Sequence, residues 1–255
     1  MTFIRETLMI FRRQERLALR NPAWVIIGLT QPILYLALMG PLLAHIPPAV
    51  LGIGPGGNAW DFFVPGLLIQ LGLFGSTFVG FSIIADWKAG VIERFRVTPV
   101  SRLAIMSGRV LRDVVTLVVQ ATVLILAGLA FGLRAPVGAV LFGFVFIVLT
   151  AIGLAAISYA AGLLLKSEDA FAPLVNTLVV PLLLLSGIFL PMTLGSGWLQ
   201  GFARISPFRY IIDAMREAYR GQYLNTIVVE GIVVAVVMAV VFLWLGSRVF
   251  LRENA

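Results

Sequence analysis

Residues 86–113 read DWKAGVIERFRVTPVSRLAIMSGRVLRD, a polar island in a chain that is otherwise lipid-soluble. Lys88, Arg94, Arg96, Arg102, Arg109 and Arg112 lie within it, and apolar runs long enough to cross a bilayer flank it on both sides. A segment this charged between two spans is expected to sit in water and to dock on something there. The rest of the chain decides on which side of the membrane that happens.

Composition sets the class. Of 255 residues, 60% are hydrophobic and 12% charged, and mean hydropathy is +1.02. Soluble domains carry about 25% charged residues, so this chain lacks the charge to cover a water-exposed surface. It reads as an all-α integral membrane protein, one transmembrane domain over residues 1–255. With no cysteine, disulfides, thiolate nucleophiles and Cys-type metal sites are excluded. A single histidine, His45 beside Pro47 and Pro48, offers no metal cluster and suits a span end.

A helix crossing about 30 Å of hydrocarbon needs roughly 20 mostly apolar residues. Six stretches qualify: 23–46, 62–85, 114–133, 137–165, 172–190 and 227–246. The third and fourth are joined by a tight turn at Arg134, Ala135 and Pro136. The first follows an arginine-rich stretch without a small-residue cleavage site, so an uncleaved span is expected.

Basic residues set the orientation. Arg5, Arg12, Arg13, Arg16, Arg20, the six cations of the island, Lys166, Arg248 and Arg252 fall on one side, fourteen of the nineteen. Arg134, Arg204, Arg209, Arg216 and Arg220 fall on the other. Basic residues resist translocation, so the richer side is expected to be cytoplasmic, with both termini inside. The net charge of +7 is then a topology signal, and nucleic acid is not a required partner.

Three polar regions remain. In residues 1–22, at about 100° per residue, the five arginines share one arc while Phe3, Ile4, Leu8, Ile10, Phe11 and Leu17 occupy the rest, with Glu15 out of place among them. That pattern predicts a helix lying along the membrane surface, its guanidinium groups at anionic headgroups. In the island, Pro99 disfavours helix at Thr98, so a short helix, a break and a new helix capped by Ser101 and running into the third span are expected. A plain hydrophilic loop is the alternative. Residues 191–226 are too short for two more spans. Two short helices fit instead. One carries a stripe of Trp198, Leu199, Phe202 and Ile205. The other begins at Ser206 and Pro207, ends at Gly221, and bears Arg209–Asp213 and Glu217–Arg220 pairs with Tyr210, Ile211 and Met215 as its apolar face. A re-entrant hairpin and two surface-lying helices are both open readings.

These residues carry a resemblance. The Arg-rich start, the six spans, ERFRVTPVSR (93–102) and LLLLSGIFLPMTLGSGWLQGFARISPFRYIIDAMREAYRG (182–221) resemble the permease subunit of an ABC type-2 exporter, similar to daunorubicin-type drug efflux permeases. Ser186, Gly187, Pro191, Pro207, Phe208, Tyr210, Asp213 and Arg216 are its most specific part. The resemblance implies that Glu93, Arg94, Phe95, Arg96, Val97, Thr98, Pro99, Val100, Ser101 and Arg102 form a coupling helix seated on a separate ATPase subunit, braced by the N-terminal helix. It also implies a second permease copy or paralogue, ATP and Mg on the partner ATPase, a bacterial inner-membrane location, and an outer hairpin (Pro207, Tyr210, Asp213, Arg216) over the exit.

The residues support part of this directly. No G-x-x-x-x-G-K-[ST] loop occurs, and the only lysines are Lys88 and Lys166, so ATP hydrolysis is expected on another chain. Neither paired carboxylates nor a Ser-His set converge on one site, which leaves an enzyme reading without support. Gln70, Gln120 and Asn176 are polar residues inside spans and read equally as substrate contacts or interhelix glue, while Glu230 lies near the end of the last span. Sparse buried charge favours a hydrophobic or amphipathic small-molecule substrate over ion coupling. A lipid-linked polysaccharide exporter and, behind it, an ion-coupled secondary transporter are the alternatives.

Overall fold

The computed structural model of the protein describes residues 3–21, 23–48, 50, 51, 53, 58–98 and 100–253. The described residues form helices and no strands. They are α1 (Phe3–Arg20), α2 (Ala23–Ala44), α3 (Ala59–Thr77), α4 (Gly80–Lys88), α5 (Val91–Arg96), α6 (Arg102–Phe131), α7 (Val137–Leu165), α8 (Glu168–Leu185), α9 (Gly197–Ala203), α10 (Pro207–Tyr219) and α11 (Thr226–Glu253), with a 3-10 turn at Met192–Leu194 before α9. Six units are long and apolar enough to span a membrane: α2, the pair α3–α4, α6, α7, α8 and α11. The expected six-span architecture is therefore present, and an even number of spans puts the two ends of the chain on one side.

Helix α7 is apolar on every face, the pattern of a helix with no water-facing side. It sits at the centre, packed against α11, α3, α6, α4 and α10. Small residues let α7 and α11 close up: a Cβ added at Gly246 would lie 2.5 Å from the Ala156 carbonyl oxygen, and one at Gly153 would lie 3.0 Å from the Ala239 backbone. Such contacts drive association where lipid removes the hydrophobic drive between helices. The α3–α4 span is the most enclosed, whereas α2 and α8 lie at the flank.

The second span is not one helix. It runs Ala59–Lys88 but breaks between Thr77 and Gly80, where the backbone tightens to Phe81 N–H to Phe78 O (3.2 Å) and Ser82 N–H to Val79 O (3.0 Å). No proline causes this. Ser158 of α7 takes up the freed groups, accepting the Gly80 N–H at 2.9 Å and donating to the Thr77 carbonyl at 2.5 Å. Two other spans shift from their expected bounds. Glu168 and Asp169 suit a helix N-terminus and start α8 four residues before the expected 172, and Gly187, in the left-handed region at φ 78°, closes the chain off before 190. The last span runs on to Glu253 because residues 247–253 continue the helix with a basic final turn.

The polar regions separate by burial. On α1 the five arginines are exposed, and so are Phe3, Ile4, Leu8 and Leu17 on other sides of the helix, while Glu6 and Ile10 are buried against α6. The out-of-place Glu15 faces this same interface, where one of its carboxylate oxygens is enclosed. In residues 191–226 the expected stripe on and just after α9 faces away from the bundle, with Trp198, Phe202 and Ile205 exposed. Helix α10 instead is wedged among α3, α7 and α11, with Phe208, Ile211, Ile212, Met215 and Tyr219 buried. A Cβ at Gly231 of α11 would fall 2.2 Å from Ala214 of α10. The hairpin thus combines an outward-facing helix with an embedded one.

Candidate functional site

The segment expected to dock begins where α4 ends. Gly90 adopts φ 67°, a left-handed turn that only glycine takes without strain, and it redirects the chain into the six-residue α5. Glu93, Arg94, Val97 and Thr98 are exposed, Val97 at 87%, and Thr98 folds its hydroxyl onto the Phe95 carbonyl at 2.8 Å. Arg96 is the last residue of α5, Val100 is half-buried, and Pro99 lies outside the described residues. The apex is an apolar knob beside a cation and a carboxylate.

This projection is held from behind. The Arg13 guanidinium of α1 lies 5.2 Å from the Phe95 ring centre, and the buried Glu6 carboxylate accepts the Ser101 N–H at 2.8 Å. Ser101 does occupy the position before α6, but its side chain makes no cap bond; Glu6 supplies a carboxylate at that helix start instead. Arg102 donates to the Leu251 carbonyl of α11 at 3.2 Å, and Lys88 to Glu168 of α8 at 2.9 Å. Residues 93–102, which run into α6, are therefore tied to α1 and α11, and the adjoining end of α4 to α8.

The last third of the polar island does not sit in water. Arg109 and Asp113 are each 2% exposed. Arg109 pairs with Asp86 of α4 and Asp113 accepts the Tyr159 hydroxyl of α7. Arg112 pairs with Asp113 at 2.8 Å, and the Arg109 guanidinium lies 5.9 Å from the Tyr159 ring centre. Glu15 of α1 closes the group. Its burial pushes that carboxyl up from its ordinary value, with Arg112 pulling it back and Asp113 adding to the rise. The expectation that all six island cations meet water fails here because Arg109 and Asp113 lie one turn apart on the inward face of α6. That i,i+4 spacing was the available signal; Tyr159, distant in sequence, gave none.

At the end of the bundle opposite α5, Arg216 of α10 is buried and donates to three carbonyls: Gly187 at 2.8 Å, Ile188 at 3.1 Å and Phe62 at 3.3 Å. Its guanidinium carbon lies 3.6 Å from the Phe62 ring centre. Burial lowers its pKa to about 9, which Asp213 opposes. Asp213, itself pushed up by burial against the pull of Arg216 and Arg209, lies 3.7 Å from Arg209 and 4.0 Å from Arg216. Tyr210 donates to the Arg204 carbonyl at 3.0 Å, and Pro207 opens α10. The expected Arg209–Asp213 and Glu217–Arg220 pairs both form, the latter at 2.6 Å. Ser206, however, caps nothing with its side chain, and its hydroxyl is buried without a partner.

The three carboxamides expected near the pathway do not converge. Gln120 donates to the Val25 carbonyl at 3.0 Å, an α6–α2 bond. Asn176 is exposed on α8 and bonds its own turn at Ala172 (3.0 Å). Gln70 is buried in α3, and neither polar end of its side chain has a hydrogen-bond partner. From it a run of half-buried rings leads toward α5: Phe74 to Phe78 and Phe78 to Phe81, each 6.0 Å between centres, then Phe81 edge-on to the buried Phe171 of α8 at 4.9 Å.

Comparison with known proteins places the chain in a family. The chain is 28% identical to the transport permease ycf38 of Cyanophora paradoxa over 85% of its own length and 75% of the relative's. It is 26% identical to the daunorubicin resistance ABC transporter permease protein DrrB1 of Streptomyces coeruleorubidus, covering 76% and 70%. Against the doxorubicin resistance ABC transporter permease protein DrrC of Mycobacterium tuberculosis it is 24% identical, covering 84% and 76%. The sequence profile of the ABC-2 type transporter matches residues 5–219, from the arginine-rich helix through the embedded α10. With six spans, a braced polar projection at one end and an embedded helix at the other, the chain belongs to the ABC-2 type transporter family as a transmembrane permease.

Proposed function

We propose that this permease is half of an ABC exporter that moves a hydrophobic or amphipathic compound outward, driven by ATP and Mg bound to a separate ATPase subunit. The observation that carries this reading is the projection at α5: Val97 stands 87% exposed beside Glu93 and Arg94, yet the segment is fastened to α1 and α11. An apolar knob ringed by charge suits a groove on a partner, and rigid fastening suits the passage of force. With the basic side facing the cytoplasm, both termini and α5 meet the ATPase inside a bacterial cytoplasmic membrane, and α9 and α10 lie at the exit. A second permease copy or a paralogue completes the pathway. The half-buried rings of Phe74, Phe78 and Phe81 suit a planar or greasy cargo. The same rings favour a second reading, a lipid-linked polysaccharide, because sugar faces also stack on aromatic rings.

Charge reversal tests the docking. Arg94→Glu is expected to weaken recovery of the co-expressed ATPase, or to lower its substrate-stimulated turnover, by between a few-fold and a hundredfold. Interface charges are worth from near zero at a wet rim to about 2–5 kcal/mol when desolvated. Arg134→Glu, on the opposite side, is expected to leave both unchanged. Equal effects at the two positions would return 93–102 to a plain loop. Daunorubicin and a lipid-linked oligosaccharide, offered in parallel, separate the two cargo readings.

A further inference from the structure

The break in the second span and the buried charges beneath α5 meet at one place. On α7, Ser158 holds both backbone groups freed at the α3–α4 break, at 2.9 and 2.5 Å. Its neighbour Tyr159 donates to Asp113 of α6. One turn back on α6, Arg109 grips Asp86, near the end of α4. Helix α4 is thereby a short rod with a jointed upper end and a charged clamp at its lower end, and α5 is attached directly to that lower end through Gly90. Arg109, Asp113, Ser158 and Tyr159 are all buried, so none of them can touch an ATPase or a cargo from where it sits.

Apolar residues of equal volume would hold such a site together as well, because burying ions costs about as much as their pairing returns. What ion pairs and hydroxyl bonds add is direction: they fix one register between helices and can exchange for another. Two nitrogens in this group, Nε of Arg109 and Nε of Arg112, are buried without a partner, so the observed pairing leaves donors that another acceptor could take up. We infer that Asp86, Arg109, Asp113 and Tyr159 are positioning residues for transport: they convert movement of the ATPase-facing segment α4–α5 into movement of α6 and α7, without binding ATPase or cargo. The inference rests on the proposal that α5 docks on an ATPase.

The test uses the full chain with its co-expressed ATPase in vesicles. The protein has no cysteine, so one thiol introduced at the half-exposed Leu190, beyond the outer end of α8, reports outer-side movement through its labelling rate with an impermeant maleimide. With the unaltered network, adding ATP is expected to change that rate several-fold. Asp86→Asn and Tyr159→Phe each remove one link while keeping size. Both are expected to retain ATPase recovery and ATP hydrolysis within about twofold, yet lose the ATP-dependent change, whereas Asp86→Glu, which keeps the charge, restores it. A merely structural role would lower the amount of folded protein and leave the response of the surviving fraction intact. A wild-type response in both Asp86→Asn and Tyr159→Phe would overturn the inference, as would an unaltered network that gives no response with the ATPase bound. Loss of ATPase recovery in Arg94→Glu decides the docking proposal separately. If that variant still recovers the ATPase fully, docking through α5 fails first and the transmission route fails with it.

Discussion

Arg216 ties α10 into the bundle through more backbone groups than any other side chain described at that end. Its guanidinium joins three chain segments that are far apart in sequence: α10, the turn after α8 and the first turn of α3. Removing it leaves the enclosed Gly187 and Ile188 carbonyls without their donor, at about 1–3 kcal/mol for each that water cannot reach; the Phe62 carbonyl keeps its own helical partner. Arg216→Met is therefore expected to lower stability by about 2 kcal/mol or more, read as an earlier thermal transition of the purified permease. Arg216→Lys recovers only part of that loss, since an ammonium lacks the planar fork that reaches carbonyls on two elements at once. A neutral Arg216→Met would mean that the carbonyls find water. The sequence marked Arg216 as part of the outer hairpin but could not show its burial, because its partners are backbone groups up to 154 residues away. The Arg209–Asp213 pair was legible for the opposite reason: it closes within one helical turn.

Helix α1 shows how an element can be legible in outline and hidden in its contacts. The arginine arc predicted the helix, yet its inward face is largely polar: Thr7, Gln14 and Glu15 each bring a buried polar atom without a partner against the bundle. Docking of α1 is thus weaker than apolar packing would make it, and Glu15 opposes it when ionised. The sign follows from its raised pKa, whose main cause is burial. Proton uptake favours the docked, folded state, so the penalty is absent below the unfolded value of about 4.5 and grows as pH rises through the folded pKa. Glu15→Gln is expected to raise the thermal transition at pH 8, with the gain fading as pH falls toward 4.5. A variant that melts earlier than wild type at pH 8 would show instead that attraction to Arg112 outweighs burial. The break between α3 and α4 was the least legible element, since no proline announces it and the group that stabilises it, Ser158, lies 78 residues from Gly80.

For the whole molecule, the outward faces of the spans differ in kind. Between Gly231 and Trp244 the exposed residues of α11 are valine, leucine and tryptophan alone, Leu243 included, a surface suited to lipid. The flank formed by α2 and α8 exposes two carboxamides, Gln31 and Asn176, among leucines. A carboxamide facing hydrocarbon is costly, so such residues turn toward protein or a water-filled cavity. If the pathway is completed by a second permease copy, as proposed above, this asymmetry favours the α2 and α8 faces for that copy and α11 for lipid. Hydropathy alone located the six spans but could not rank their faces, because an apolar residue serves lipid and protein equally well. Since the chain has no cysteine, a single introduced thiol reports on one face without background. Asn176→Cys is expected to give a crosslinked permease pair in native membrane with the ATPase present, through a short bis-maleimide. Val237→Cys on α11 is expected to stay monomeric under the same treatment. A pair trapped through Val237→Cys and none through Asn176→Cys would move the partner to α11, and the cost of Asn176 would then have to be met by water in the pathway alone.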